Sequence, residues 1–385
     1  MKPNERPPRV DTLAVHAGRW DDREGAVVTP IYQSSTFDYP AGDRPLVYTR
    51  YGNNPSQVAL QERLAALEGA EAALVLASGM GALATAILTV CASGDHVVAA
   101  PSLYGGTHRL LDVELPRLGM EVTYAEGIEV EQWREAIRPR TRLLLWEAIS
   151  NPLLRVPDTP ALAALAKERG SVSLVDATFA TPINLRPIEH GVDLVMHSAT
   201  KYLGGHSDQI GGVLAGPAGL VEEACHRMHS FGASIDPHAA FLVERGVKTL
   251  AVRMARHNDN GRRVAEFLST HARVDRVHYP ELPGHPDHAV AERLLAGGGG
   301  VVTFVPDASF EEAARLAGSF RWIRLAPSLG GVESLVSLPA QTSHRGLSRE
   351  ERAALGIPDP MIRLALGIEA ADDLVEDLER ALATL

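Results

Sequence analysis

Asp193-Leu-Val-Met-His-Ser-Ala-Thr-Lys201-Tyr-Leu-Gly-Gly-His-Ser-Asp208 is the stretch on which the reading of this chain turns. Its apolar run, Leu194 to Met196, reads as a short buried strand. Two hydroxyl residues, Ser198 and Thr200, lead into Lys201, and Gly204 and Gly205 follow. A lysine at the end of a core strand is partly desolvated. That lowers its pKa and makes it a candidate amine nucleophile for a Schiff base. The neighbouring hydroxyls suit a phosphate. Together they have the makings of a pyridoxal phosphate lysine with part of its phosphate cup. A surface lysine at a strand end fits this stretch equally well, so the rest of the chain must decide.

Towards the N-terminus, residues 73–77 form an apolar strand that ends in Ser78-Gly79-Met80-Gly81 and continues as a helix to about Cys91. Such a turn aims backbone N–H groups outward at a helix N-terminus, which is an anion site on physical grounds. Taken alone the turn is not specific. Between it and Lys201, strands expected at residues 96–100, 121–125, 142–147, 172–176 and 193–197 alternate with helices near 106–118, 130–137 and 159–169. This alternation predicts an α/β fold with a mainly parallel sheet covered on both faces. Ligands bind at the carboxyl ends of such strands. Four polar signals fall there: Tyr104, Glu147 with Asn151, Asp176, and the run Ser198–Lys201. Each has an ordinary explanation: a loop aromatic, a turn residue before Pro152, a helix cap. Their convergence favours a site.

The flanks differ in texture. Residues 1–55 are rich in Pro, Gly, Arg and Tyr and predict an extended arm lying on a neighbouring subunit. It ends in Tyr48-Thr-Arg50-Tyr-Gly-Asn-Asn54-Pro55, where Asn54, Pro55 and Gln57 spell a helix N-cap, first turn and capping box. Residues 56–245 are expected to form the large domain. Residues 246–385 read as a smaller α+β domain with strands near 301–305 and 361–366 and helices near 248–268 and 371–382. Arg363 sits inside one of those apolar strands. It is either an edge residue facing solvent or a clamp for a planar carboxylate.

Bulk properties narrow the class. The chain has 385 residues, 45% hydrophobic and 22% charged, with a net charge of −11. That balance gives no pull toward nucleic acid or anionic membrane. The two cysteines show no zinc-ligand spacing, and a reducing, cytoplasmic setting is expected. The opening MKPNERPPRV has no apolar core, so no secretion signal is expected there. The apolar region 72–92 is broken by Ser78-Gly79-Met80-Gly81 and reads as strand, turn and helix, not as a membrane span. No Gly-x-Gly-x-x-Gly follows the first strand, which argues against a dinucleotide site.

From about Thr12 to the C-terminus the chain resembles the Cys/Met-metabolism enzymes that use pyridoxal phosphate. This family includes cystathionine lyases and synthases, methionine γ-lyases and O-acylhomoserine sulfhydrylases. The resemblance rests on Ser198-Ala-Thr-Lys201-Tyr-Leu-Gly-Gly-His-Ser-Asp208. It is supported by Tyr48-Thr-Arg50, Ser78-Gly79-Met80-Gly81, Leu103-Tyr104-Gly105-Gly106-Thr107, Asp176-Ala-Thr178, Ser328-Leu-Gly-Gly331 and Ile362-Arg363-Leu364. It implies fold type I of the pyridoxal phosphate enzymes, with a seven-stranded type of sheet, and a homotetramer of dimers with shared active sites.

The resemblance also implies roles. Lys201 is the Schiff-base lysine and moves protons at Cα and Cβ. Asp176 pairs with the cofactor's pyridinium nitrogen, and Tyr104 stacks on the ring and acts as acid for the γ-leaving group. Gly79, Met80, Ser198 and Thr200 hold the phosphate, with Tyr48 and Arg50 reaching it from the neighbouring subunit. Thr178 completes the cofactor set. Arg363 clamps the substrate carboxylate, with Tyr48, Asn151 and Ser328 assisting. The implied activity is a γ-elimination, a C–S lyase acting on a sulfur-containing or homoserine-type amino acid. The alternative is γ-replacement by a thiol. A methionine γ-lyase and a non-catalytic pyridoxal phosphate protein rank lower.

Four positions depart from, or vary within, the family. Gly106 stands where methionine γ-lyases usually have cysteine. Val47 and Pro327 stand where cystathionine-handling members often carry an acid. Arg109 follows the cystathionine γ-lyase pattern. These four are the expected determinants of substrate choice.

Overall fold

The computed structural model describes residues 8–18, 25–38 and 46–385. The other arm residues lie outside it. Two sheets organise the described chain. The larger has seven strands: β1 (Ala72–Leu76), β2 (His96–Ala99), β3 (Glu121–Tyr124), β4 (Thr141–Glu147), β5 (Val172–Asp176), β6 (Leu194–Ser198) and β7 (Gly212–Gly216). Their spatial order is β1-β7-β6-β5-β4-β2-β3. The pairs from β6 through to β3 are parallel, while β7 runs antiparallel to both β1 and β6. Six strands therefore share one direction and β7 alone is reversed.

The sheet is apolar because it is buried on both faces. In β2 and β7 every residue is buried, and β4 buries all but Arg142. Continuous apolar runs are what such a position requires. Helix α1 (Val10–His16) packs on α2 (Pro55–Glu68), where Arg63 donates to the Ala14 carbonyl at 2.7 Å. The arm is thus not wholly extended, as its composition had implied. At the start of α2 the capping box of Asn54 and Gln57 is present with Pro55 in the first turn, as expected.

Helix α3 (Gly79–Val90) follows β1 directly. The single helix expected at residues 106–118 is broken. It runs as α4 (Gly105–Arg109), a π-turn at Leu110–Glu114 and a short turn Leu115–Arg117. Pro116 has no N–H to donate to the preceding turn, so regular α geometry cannot continue through it.

The smaller sheet has five strands: β8 (Val274–His278), β9 (Val301–Pro306), β10 (Arg324–Leu325), β11 (Leu335–Ser337) and β12 (Ile362–Ala365). Their order is β10-β11-β12-β9-β8. β12 lies between β11 and β9, with Arg363 opposite Ser337 on one side and Thr303 on the other. A long helix, Leu250–Thr270, and the closing helix Ala371–Leu382 pack beside this sheet. The chain is therefore an α/β fold with a second, smaller α+β part.

Candidate active site

Parallel strands end together at one edge of a sheet, so residues distant in sequence meet there. In the larger sheet, Glu147 ends β4, Asp176 ends β5 and Ser198 ends β6. Glu147 and Asp176 are register partners. Above them lies a cavity of about 600 Å³. Its lining includes Ser78, Gly79, Met80, Tyr104, Asn151, Asp176, Thr178, Ser198, Thr200, Lys201, Pro327, Ser328 and Arg363. The four polar signals read from the sequence thus share one enclosure.

The two carboxyls at its floor differ in what they hold. Glu147 is buried and accepts from the backbone N–H of Tyr104 at 2.6 Å and of Asn151 at 3.1 Å. It fixes the two loops that carry those residues. Burial, and then the neighbouring Asp176 charge, push its carboxyl well above the usual range. Asp176 accepts at Oδ1 from both the N–H (2.9 Å) and the hydroxyl of Thr178. Burial raises its pKa too, and the Thr178 donors oppose the rise. No hydrogen bond among the described residues reaches Asp176 Oδ2, which leaves that oxygen to meet a donor in the cavity.

Lys201 follows β6 in a tight turn, its N–H bonded to the Ser198 carbonyl at 3.1 Å. Its Nζ donates to Ser328 Oγ at 2.7 Å. Burial lowers its pKa from 10.5 to about 8, and the Arg363 charge adds to the effect. The surface-lysine alternative is therefore set aside. Arg363 is buried, and burial brings its guanidinium down to about 10. It donates to Asn151 Oδ1 at 3.0 Å and to the Ser328 carbonyl at 3.1 Å. Its place on a central strand removes the edge-residue explanation. Ser328 joins the two cations, one through its hydroxyl and one through its carbonyl. It does so at φ 99°, a left-handed conformation that costs a non-glycine residue about 1–3 kcal/mol.

The residues present fit a phosphate-bearing cofactor with a basic ring nitrogen. Ser78 caps α3, its hydroxyl taking the Gly81 N–H at 3.0 Å and its carbonyl the Ala82 N–H. The N–H groups of Gly79 and Met80 have no partner among the described residues. A Cβ on Gly79 would lie 2.7 Å from Ser198 Cβ, so only glycine lets this helix end approach the end of β6. The Ser198 hydroxyl is likewise unpartnered there. Thr200 lines the same wall, its hydroxyl 3.3 Å from the Gly211 carbonyl. An anion-binding helix end, two hydroxyls, an amine and an open carboxylate oxygen make up the donor set.

Several expected residues stand elsewhere. Tyr48 and Arg50 do not line the cavity of their own chain. The Arg50 guanidinium lies over the Tyr48 and Tyr51 rings, 5.5 and 5.1 Å from their centroids, and bonds the His229 carbonyl. Val47 is also outside the lining. Arg109 is exposed and pairs with Glu114 at 3.9 Å. Gly106 lies against Tyr104, whose ring carbon would be 2.5 Å from an added Cβ.

Other contributors carried no signal in the sequence reading. Gln341, Thr342, Ser343 and Arg345 line the outer wall. Arg253, on the helix Leu250–Thr270, donates to the carbonyls of Tyr202 and Gly246, each at 2.7 Å, and so holds the turn that follows Lys201. His197, on β6, bonds the buried Glu68 of α2 at 2.5 Å. Arg253, His197 and Glu68 are polar residues in regular elements, and only the partner that each meets from a distant segment gives it meaning.

Comparison with known proteins places this geometry. A cystathionine γ-lyase of Bacillus subtilis (strain 168) is 41% identical over 378 residues, which covers 97% of this chain and 99% of that one. A cystathionine β-lyase of Coxiella burnetii is also 41% identical, over 98% of this chain and 99% of that one. The solved structure of a cystathionine γ-synthase from Xanthomonas oryzae pv. oryzae, in complex with aminoacrylate and cysteine, superposes with a TM-score of 0.95. It is 37% identical and the match covers 98% of each chain. These relatives differ in reaction, so likeness alone does not choose between elimination and replacement. The sequence model of the Cys/Met metabolism PLP-dependent enzymes matches residues 11–383, and the chain belongs to that enzyme family.

Proposed function

We propose that this enzyme catalyses γ-elimination on a sulfur-containing or O-acylated homoserine-type amino acid, with thiol-dependent γ-replacement as the second outcome of the same residues. The observation that carries the reading is the chain Lys201 Nζ–Ser328–Arg363. It sets a proton-moving amine beside a carboxylate clamp, as an α-amino acid substrate requires. Pyridoxal phosphate, when bound, supplies an electron sink for charge developed at Cα.

The chain's own residues do the rest. Gly79, Met80, Ser198 and Thr200 hold the phosphate, and Tyr48 and Arg50 reach it from a neighbouring subunit. Asp176, aligned by Thr178, takes the ring N–H. Lys201 would hold the cofactor through its aldehyde, and its free amine would take the Cα proton and move protons at Cβ. A pKa near 8 keeps part of the amine neutral at physiological pH, as a base requires. Arg363 binds the substrate carboxylate with Asn151 and Ser328. The Tyr104 hydroxyl delivers a proton to the leaving γ-group. Water then completes a 2-oxo acid and ammonia, or a thiol adds at Cγ.

The reading includes a first segment, residues 1–55, that contacts a neighbouring subunit, a cofactor domain at 56–245 and a C-terminal domain at 246–385. It also includes a homotetramer built from dimers and a cytoplasmic setting. The free Cys91 and Cys225 are in keeping with the last point. No helix among the described residues is long and apolar enough to cross a membrane.

The test is a panel of cystathionine, methionine, homocysteine, O-acetylhomoserine and O-succinylhomoserine, with and without an added thiol, read by mass spectrometry. A 2-oxo acid or a replacement product is expected from at least one compound. Lys201→Ala should abolish both the product and the visible absorbance of the loaded enzyme. Product from none of the five, or an unchanged spectrum in Lys201→Ala, would overturn the reading.

A further inference from the structure

The cavity has a charge imbalance that the proposed chemistry does not use. Its acidic lining residues are Glu147 and Asp176, both at the floor, and its basic ones are Lys201, Arg363 and Arg345. Glu147 is committed to two backbone N–H groups and Asp176 to Thr178. Lys201 and Arg363 are joined through Ser328. Arg345 is left over. It is exposed, and no carboxylate or carbonyl among the described residues pairs with its guanidinium.

The segment that carries Arg345 is anchored. The Thr342 hydroxyl and N–H both bond the Leu338 carbonyl, at 2.8 and 3.1 Å. His344 is buried, and its N–H bonds the Pro339 carbonyl at 2.9 Å. The Ser343 carbonyl lies so close to Gly105 that an added Cβ there would meet it at 2.1 Å. The segment therefore seats against the first residue of α4, directly after Tyr104, the residue read as the acid for the leaving group. Pro327, on the same lining, offers no charge. The outer cavity thus has a guanidinium to meet an anion and no acid to meet an ammonium.

We propose that Arg345 determines specificity by selecting γ-substituents that end in a carboxylate and carry no ammonium group. This rests on the γ-elimination and γ-replacement reading above. The substrate then binds by two carboxylates, the α-carboxylate at Arg363 and the distal one at Arg345. Guanidinium suits both, because its planar fork matches carboxylate geometry. In a γ-ester of this class the Cγ–O bond breaks and the departing carboxylate oxygen keeps the electron pair. One water is consumed, and the products are the anion of a 2-oxo acid, ammonium, a dicarboxylate and one proton.

The experiment compares O-succinyl-L-homoserine, whose ester ends in a carboxylate, with O-acetyl-L-homoserine, whose ester does not. The holoenzyme should favour the succinyl ester about tenfold in kcat/KM, in the range of a partly solvated charge-assisted contact. Arg345→Ala should bring the ratio to about one, Arg345→Lys should keep part of it, and Arg345→Glu should reverse it. Raising the salt should shrink the wild-type ratio, since an exposed charge is screened. A ratio near one in the wild type, or one unchanged in Arg345→Ala, overturns the role of Arg345 and leaves the γ-elimination reading standing. Product from neither ester nor any other compound of the panel overturns both.

Discussion

The floor and the outer wall of the cavity are built on opposite principles. At the floor three side chains are each held by two hydrogen bonds. Glu147 takes two N–H groups, Asp176 takes two donors from Thr178, and Arg363 is bonded to Asn151 and Ser328. At the outer wall Tyr104 is 47% exposed, and the side chains of Tyr104 and Arg345 have no hydrogen-bond partner among the described residues. Buried polar groups must be satisfied or they cost free energy, so the floor can hold one arrangement only. The outer wall pays little for change. In the function proposed above, cofactor chemistry belongs to the rigid part, and substrate choice to the part where a new side chain does not disturb the fold.

Substitutions at the two levels should therefore differ in size and kind. Below Lys201→Ala, the largest effect is expected from Arg363→Ala. It leaves a substrate carboxylate in a buried place without its cation, so kcat/KM should fall about 10²- to 10³-fold. Cofactor absorbance should survive. An unchanged kcat/KM would move the carboxylate site elsewhere and break the comparison at its floor.

Arg253→Met tests whether rigidity at the floor depends on support from behind. It leaves the buried Tyr202 carbonyl without its donor, at about 1–3 kcal/mol, while the Gly246 carbonyl keeps the Thr249 N–H and hydroxyl, each at 3.1 Å. Thermal or denaturant unfolding should show a loss of about 1–3 kcal/mol, with slower uptake of pyridoxal phosphate by the apoprotein. Unaltered stability would mean that the turn after Lys201 holds itself.

The pH dependence of that uptake probes Lys201 directly. Its pKa falls from 10.5 to about 8 because burial disfavours the ammonium and the Arg363 charge adds to this. Between those values the unfolded chain binds the extra proton, so the penalty that Lys201 places on the folded apoprotein shrinks as pH rises through that window. The neutral amine also grows through pH 8, and cofactor uptake should rise with a midpoint near there. Arg363→Met, which removes one cause, should move the midpoint upward. A midpoint unmoved by that change would leave burial as the sole cause.

The smallest effect is expected at the outer wall. Gly106→Cys places a side chain where the Tyr104 ring carbon lies 2.5 Å from the new Cβ, so the ring must turn. Folding should be unaffected. kcat should change about tenfold, with a different effect on thioether and ester leaving groups, because a small displacement of a reacting group is costly. Equal effects on both would show that Tyr104 positions the substrate without serving the leaving group.

Legibility in the sequence followed the same division. The strands ending in Glu147, Asp176 and Ser198 were readable because a doubly covered sheet demands unbroken apolar runs. Strand β7 was not read, since Gly212-Val-Leu-Ala-Gly216 has glycine at both ends and only three apolar residues between them. Helix α1 was missed because its seven residues bury only Ala14 and show almost no stripe. Arg253 stands on a polar helix and looks like a solvated residue until the turn at Tyr202 arrives beneath it. The cavity wall at residues 341–345 could not be found by pattern, because a loop has no period to read.

What the sequence by itself determined is which groups stand at the floor. A lysine after a buried strand, a glycine turn opening a helix and an aspartate at a strand end are local features, each set by a few neighbouring residues. What only the tertiary structure decided is which distant side chains share the cavity with them. Arg363 became buried because β12 lies between β9 and β11, and Ser328 became its link to Lys201 through a contact spanning 127 residues. Arg109 fell outside the cavity of its own chain and Arg345 fell inside it. Both are arginines in polar surroundings, and sequence cannot rank them, because a side chain's use depends on the path of the backbone that delivers it.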